Sequence, residues 1–84
     1  MDDLPPEDGA LRLITFDVSE QDRKKRDWLR QELVACGYKA IQKSVYVGKR
    51  PLPDRFIKKI TELHLTKNIH IVGLNKHGTL TAET

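Results

Sequence analysis

The stretch Leu11-Arg12-Leu13-Ile14-Thr15-Phe16-Asp17-Val18-Ser19 decides how the whole chain is read. It is short and rich in strand formers. Leu11 and Leu13 are apolar on one side of the alternation, Ile14 and Phe16 on the other. A half-exposed strand would alternate apolar with polar, so a run apolar on both sides predicts a central strand covered on two faces. The strand closes on Asp17. Ser19 behind it offers a helix N-cap, with Asp22 three residues on as an approximate capping box and Glu20 suited to the positive end of a helix.

Outward from that strand the pattern changes period. From Glu20 to Cys36 the apolar positions Leu29, Leu33 and Cys36 recur at helical spacing, flanked by Trp28 and Glu32, while Arg23, Asp27 and Arg30 share another face. Gly37 suits a left-handed helix end. Tyr38 to Val47 reads as strand, either one bent or two, and Gly48-Lys49-Arg50-Pro51-Leu52-Pro53 breaks it. A second helix starts near Pro53-Asp54, with Phe56, Ile57, Ile60, Leu63 and His64 on one face. Asn68 to Leu74 is a strand, Asn75-Lys76-His77-Gly78 a turn, and Thr79 to Thr81 a further edge strand. Two helices cannot cover both faces of such a sheet. The order therefore predicts an α/β (α+β) fold, a ferredoxin-like βαββαβ sandwich with an antiparallel sheet and both helices on one face. The uncovered face predicts a homodimer.

Eighty-four residues hold one domain, placed at 11–84, behind a flexible acidic leader at 1–10 (MDDLPPEDGA). That length excludes large multidomain enzymes and doubly wound nucleotide-binding folds. No apolar run approaches the roughly 20 residues of a membrane span, and the start is no signal peptide, so no membrane association is expected. The single cysteine, Cys36, excludes an internal disulfide and a four-cysteine zinc site, and points to a reducing, cytoplasmic setting.

Charge is distributed unevenly. Arg23 to Lys59 holds twelve basic residues against three acids, a local charge of +9, which leaves −6 on the rest of a chain whose total is +3. A basic middle of this kind suits a polyanion such as nucleic acid. A solvated lysine-rich surface has the same composition. Asp17, closing an apolar strand beside a basic helix, is the candidate catalytic and metal-ligating residue. Its carboxylate suits Mg²⁺ or Mn²⁺, which prefer hard oxygen ligands, and a two-fold axis would supply a second carboxylate. Simple capping of the following helix is the plainer role for Asp17. His64, His70 and His77 form no recognisable zinc pattern. Cys36 reads as core, Ser44 has no base at fixed spacing, and Trp28 and Tyr46 read as packing residues.

Leu13 to Ser19, Arg23, Arg26, Gly37-Tyr38 and Gln42-Lys43-Ser44-Val45-Tyr46 together resemble the small CRISPR-associated endonuclease family of the spacer-acquisition machinery. The likeness spans about residues 11–74. Arg26-Asp27-Trp28-Leu29-Arg30 and the same Gln42–Tyr46 strand also look like the C-terminal half of the phenylacetate-degradation repressor family, which contains the same fold behind a winged-helix DNA reader. Ten leader residues hold no such reader, so the chain is expected to be a standalone member or an excised domain, the former fitting the length better.

The resemblance implies a ferredoxin-like homodimer acting in antiviral defence. Its implied features are a shared Mg²⁺ or Mn²⁺ between two copies of Asp17, endonuclease activity on RNA or DNA, and a role bridging CRISPR integrase subunits. Arg23, Lys24, Arg26, Arg30, Lys43 and Ser44 are the expected contacts to duplex DNA or single-stranded RNA. Two functions stay open: a metal-dependent phosphodiesterase, or a non-catalytic DNA-binding dimer, either bridging integrases or serving a phenylacetate-repressor-like regulator. The scaffold is the expected physiological role.

Overall fold

The apolar run around Ile14 forms strand β1 (Leu11–Phe16), and the computed structural model, which describes residues 4–74 and 80–82, places it third of five in one antiparallel sheet. β2 (Lys39–Gln42) and β3 (Val45–Gly48) lie on one side of it, β4 (Ile69–Leu74) on the other, and β5 (Leu80–Ala82) extends the sheet beyond β4. Helices α1 (Arg23–Ala35) and α2 (Asp54–Glu62) complete the expected ferredoxin-like βαββαβ order, with β5 as the added edge strand. Among the described residues no helix is long and apolar enough to cross a membrane.

Register shows which face is covered. Residues directly opposite one another on neighbouring strands point the same way. Ile14 lies opposite Tyr46 and Ile71, and Phe16 opposite Ile69. Ile14, Phe16, Tyr46 and Ile69 are buried together with Leu29 and Leu33 of α1 and Phe56 and Ile60 of α2, so both helices pack on this one face. Each such side chain contributes about 1.5–3 kcal/mol through burial. Trp28 stacks on Phe56, ring centroids 5.6 Å apart and 11° from parallel, which ties the two helices to each other. Cys36 is buried, as its place on the core stripe implied.

The opposite face is different. Leu13 lies opposite Val47 and Val72, and all three are only half-buried. Among the described residues nothing supplies the second cover expected for β1.

Local details depart from the sequence reading at the start of α1 and the end of α2, and decide between its two alternatives for Tyr38 to Val47. Glu20–Asp22 is a 3-10 turn, closed by the Asp22 N–H donating to the Ser19 carbonyl, and α1 begins at Arg23 with no side-chain cap from Ser19 or Asp22. Tyr38 to Val47 resolves into the β2–β3 hairpin, joined by Lys43 and Ser44. Neither residue has a positive φ, so the turn is not one of the primed types that match strand twist, and the ladder slips between Ala40 and Gln42 just before it.

His64 leaves the helical face on which it was expected. It sits past the end of α2 with φ 58°, exposed, while the Leu65 N–H donates to the Ile60 carbonyl at 2.8 Å and the His64 N–H to Thr61 at 3.1 Å. Leu65 thereby folds back over the helix end, where it is 3% exposed. α1 ends the same way, with Gly37 at φ 89° and Tyr38 N–H donating to the Leu33 carbonyl at 2.9 Å.

Part of the acidic leader is structured. Leu4 packs against the core, and the Asp8 N–H donates to the Lys49 carbonyl at 3.1 Å. The expected turn at 75–78, with His77, lies outside the described residues.

Candidate nucleic-acid interface

The C-terminal end of β1 is fixed from two sides. On one, the Phe16 N–H donates to the Ser44 carbonyl at 3.1 Å, which draws the β2–β3 turn onto the strand end. On the other, Asp17 exchanges two bonds with Asn68. Its N–H donates to the Asn68 carbonyl, and the Asn68 side-chain amide donates to the Asp17 carbonyl, each at 2.8 Å. Both bonds use the Asp17 main chain, so the exposed carboxylate remains turned to solvent.

Between this strand end and the first half of α1 lies a cleft of about 350 Å³, lined by Phe16, Asp17, Val18, Glu20, Arg26, Arg30, Lys43 and Ser44. Arg26 and Arg30 are four residues apart and therefore share a side of the helix. Arg30 is braced: its Nε donates to the Lys43 carbonyl at 3.3 Å and its Nη1 lies 3.6 Å from Asp27 Oδ1. Arg26 is not satisfied in the same way. Its Nε is buried and has no acceptor among the described residues.

Five of the seven residues singled out from the sequence thus converge: Asp17, Arg26, Arg30, Lys43 and Ser44. Arg23 and Lys24 are exposed on the first turn of α1 and do not line the cleft. Two contributors had been missed. Glu20 lines the cleft because the 3-10 turn brings it back beside Asp17, a geometry that a regular helix starting at Glu20 would not imply. Asn68 carried only the general turn preference of asparagine.

The cleft wall holds two carboxylates and three cations. Mg²⁺ and Mn²⁺ need several hard oxygen ligands, and among the described residues no three of His, Cys, Asp and Glu gather closely enough to hold an ion. Among the described residues the cleft thus offers two carboxylates beside three cations, a charge balance that suits an anion such as phosphate.

The whole ferredoxin-like unit, from residue 5 to residue 83, matches the family described as the PaaX protein central Cas2-like domain. The chain belongs to that family. No curated protein and no solved structure shows a significant match. Kinship with the phenylacetate repressor therefore stands, with one correction: the matching PaaX unit is described as central, where the sequence reading pointed to the repressor's C-terminal half. The Cas2-like description agrees with the strand order and with the one-sided helix layer.

Proposed function

We propose that this PaaX-type Cas2-like domain is a non-catalytic, homodimeric nucleic-acid-binding module of a phenylacetate-repressor-like transcriptional regulator, gripping duplex DNA by its phosphates. The observation that carries the reading is the cleft in which Arg26, Arg30 and Lys43 converge at the end of β1. Phosphate contacts position a protein on a duplex without reading sequence, which suits a module that supports a separate sequence reader.

The open sheet face supports the dimer in this reading. Leu13, Val47 and Val72 form an apolar row across three strands, flanked by Leu11 and Val45. A second copy would cover that row and set two clefts in one particle. Family membership favours the regulator over the spacer-acquisition role, which would add integrase subunits to the same dimer.

The test is direct binding of a labelled duplex, with sedimentation equilibrium on the same samples. The reading expects a dimer at micromolar concentration that binds unrelated duplexes with similar affinity, and an Arg26→Gln/Lys43→Gln pair that weakens all of them alike. A strict monomer, or a wild-type chain that ignores duplex DNA at low salt, would overturn it.

A further inference from the structure

At the other end of the sheet, the segment before β1 lies on a second group of cations. Asp8 takes a two-pronged grip from Arg12, whose Nη1 and Nη2 donate to its two carboxylate oxygens at 2.9 and 2.8 Å. Arg50 Nη2 is 3.6 Å from Glu7 Oε2, and Arg50 Nη1 donates to the Pro5 carbonyl at 3.1 Å. Glu7 also lines a hollow of about 220 Å³ with Lys39 and Lys49. Arg12 of β1 and Arg50 of the β3–α2 connection thus pair with two carboxylates of one short acidic segment, and Lys39 and Lys49 line the hollow beside Glu7.

We propose that this surface is a second phosphate-binding site for nucleic acid, which the chain's own Glu7 and Asp8 occupy in place of phosphates. The site rests on the DNA-binding reading of the domain and lies at the opposite end of β1 from the Asp17 cleft. The fork-to-carboxylate geometry of Arg12 on Asp8 is the one by which arginine grips phosphate oxygens in two-point contact. The ion pairs are also asymmetric. The side chains of Arg12 and Arg50 are 12% and 24% exposed, and those of Asp8 and Glu7 are 43% and 60% exposed. The cations are held in place by the domain, and the acidic partners lie on top, where an incoming polyanion reaches them first. Lys39 and Lys49 are exposed beside them and hold no part of the core. The acidic segment therefore competes with nucleic acid for these cations and keeps the second site shut until a longer duplex displaces it.

The experiment is a double cycle on the full chain, read by anisotropy of a labelled duplex at several salt concentrations. One arm is Glu7→Gln/Asp8→Asn, which removes charge and keeps shape. The other is Lys39→Gln/Lys49→Gln. The first pair should tighten binding about tenfold and steepen the log–log salt slope by roughly 0.9 for each phosphate gained. Adding the lysine pair should cancel that gain, while the lysine pair in the wild-type background should weaken binding by several-fold less than it does beside Glu7→Gln/Asp8→Asn.

A general charge effect would leave the two arms independent, so equal weakening by the lysine pair in both backgrounds overturns the site. Unchanged affinity of Glu7→Gln/Asp8→Asn overturns it as well. If the wild-type chain binds and only the cycle fails, the Asp17 cleft reading survives. If neither protein binds duplex, both fall.

Discussion

Asp17 and Asn68 hold one another through their main chains: the Asp17 N–H donates to the Asn68 carbonyl, and the Asn68 amide returns a bond to the Asp17 carbonyl, both at 2.8 Å. The end of β1 and the turn before β4 are thereby locked at the edge of the cleft. Asn68→Ala removes the returning bond. The expected loss is about 1 kcal/mol, the usual net worth of one such bond. For a domain of this size that lowers Tm by roughly 4–8 °C, read by thermal denaturation. An unchanged Tm would mean that the amide contributes nothing to holding the site.

The two helices end in the same left-handed geometry with different residues, so substitutions there should have opposite signs. At Gly37 an added Cβ would meet a positive φ and also lie 3.2 Å from Arg50 Nε, so Gly37→Ala should destabilise by about 1–2 kcal/mol. At His64 the strain is already present, and His64→Gly should stabilise by roughly 0.5–1 kcal/mol. Urea unfolding of the two variants beside wild type measures both. The same sign for both would contradict the helix-end geometry.

Why His64 escaped the sequence reading is instructive. Leu63 and His64 continue the 3.6-residue spacing of Phe56 and Ile60, and nothing local marks the exit, because histidine stands where glycine usually does. Gly37 marks the corresponding exit of α1, and that one was legible. The β2–β3 hairpin was ambiguous for a related reason: Lys43-Ser44 contains none of the glycine or asparagine that flags a two-residue turn. The layered architecture was legible because Ile14, Phe16, Leu29, Leu33, Phe56 and Ile60 hold to their periods without interruption. Of the cleft cations, Arg30 was legible on α1 by charge spacing, while Arg26 and Lys43, with the neutral Ser44, came through the family resemblance. Glu20 and Asn68 depend on tertiary geometry and left no mark in the sequence.

Asp8 should give stability a specific acid dependence. The side-chain hydrogen bond from Arg12, helped by the Ala10 N–H, lowers its carboxyl from 3.8 to about 2. A carboxyl depressed in the folded state contributes fully above its unfolded value and loses that contribution as pH falls through the folded one. The contribution is thus whole above about pH 5 and lost progressively down to about pH 1. Asp8→Asn should flatten the stability–pH curve between those limits, measured by urea midpoints at successive pH values. A variant curve parallel to wild type would contradict the Arg12–Asp8 pairing.

Asp17→Asn separates binding from metal chemistry. The amide is isosteric and both main-chain bonds to Asn68 remain, so folding and dimer mass should be unchanged. One negative charge leaves the cleft, and on the proposed phosphate-binding reading duplex affinity should rise about two- to fivefold at low salt. Incubating labelled duplex and single-stranded RNA with Mg²⁺, Mn²⁺ or EDTA should show no cleavage that depends on Asp17. Divalent-dependent cleavage by wild type that the variant lacks would establish the nuclease reading instead.

The salt dependence of duplex binding tests the central claim most directly. Arg26, Arg30 and Lys43 line each cleft, and a dimer carries two clefts. Six phosphate contacts correspond to a log–log slope of about −5. Arg26→Gln/Lys43→Gln leaves two of the six and should reduce the slope to about −2. A wild-type slope near zero, or a slope that the double variant leaves unchanged, would contradict phosphate binding at this cleft.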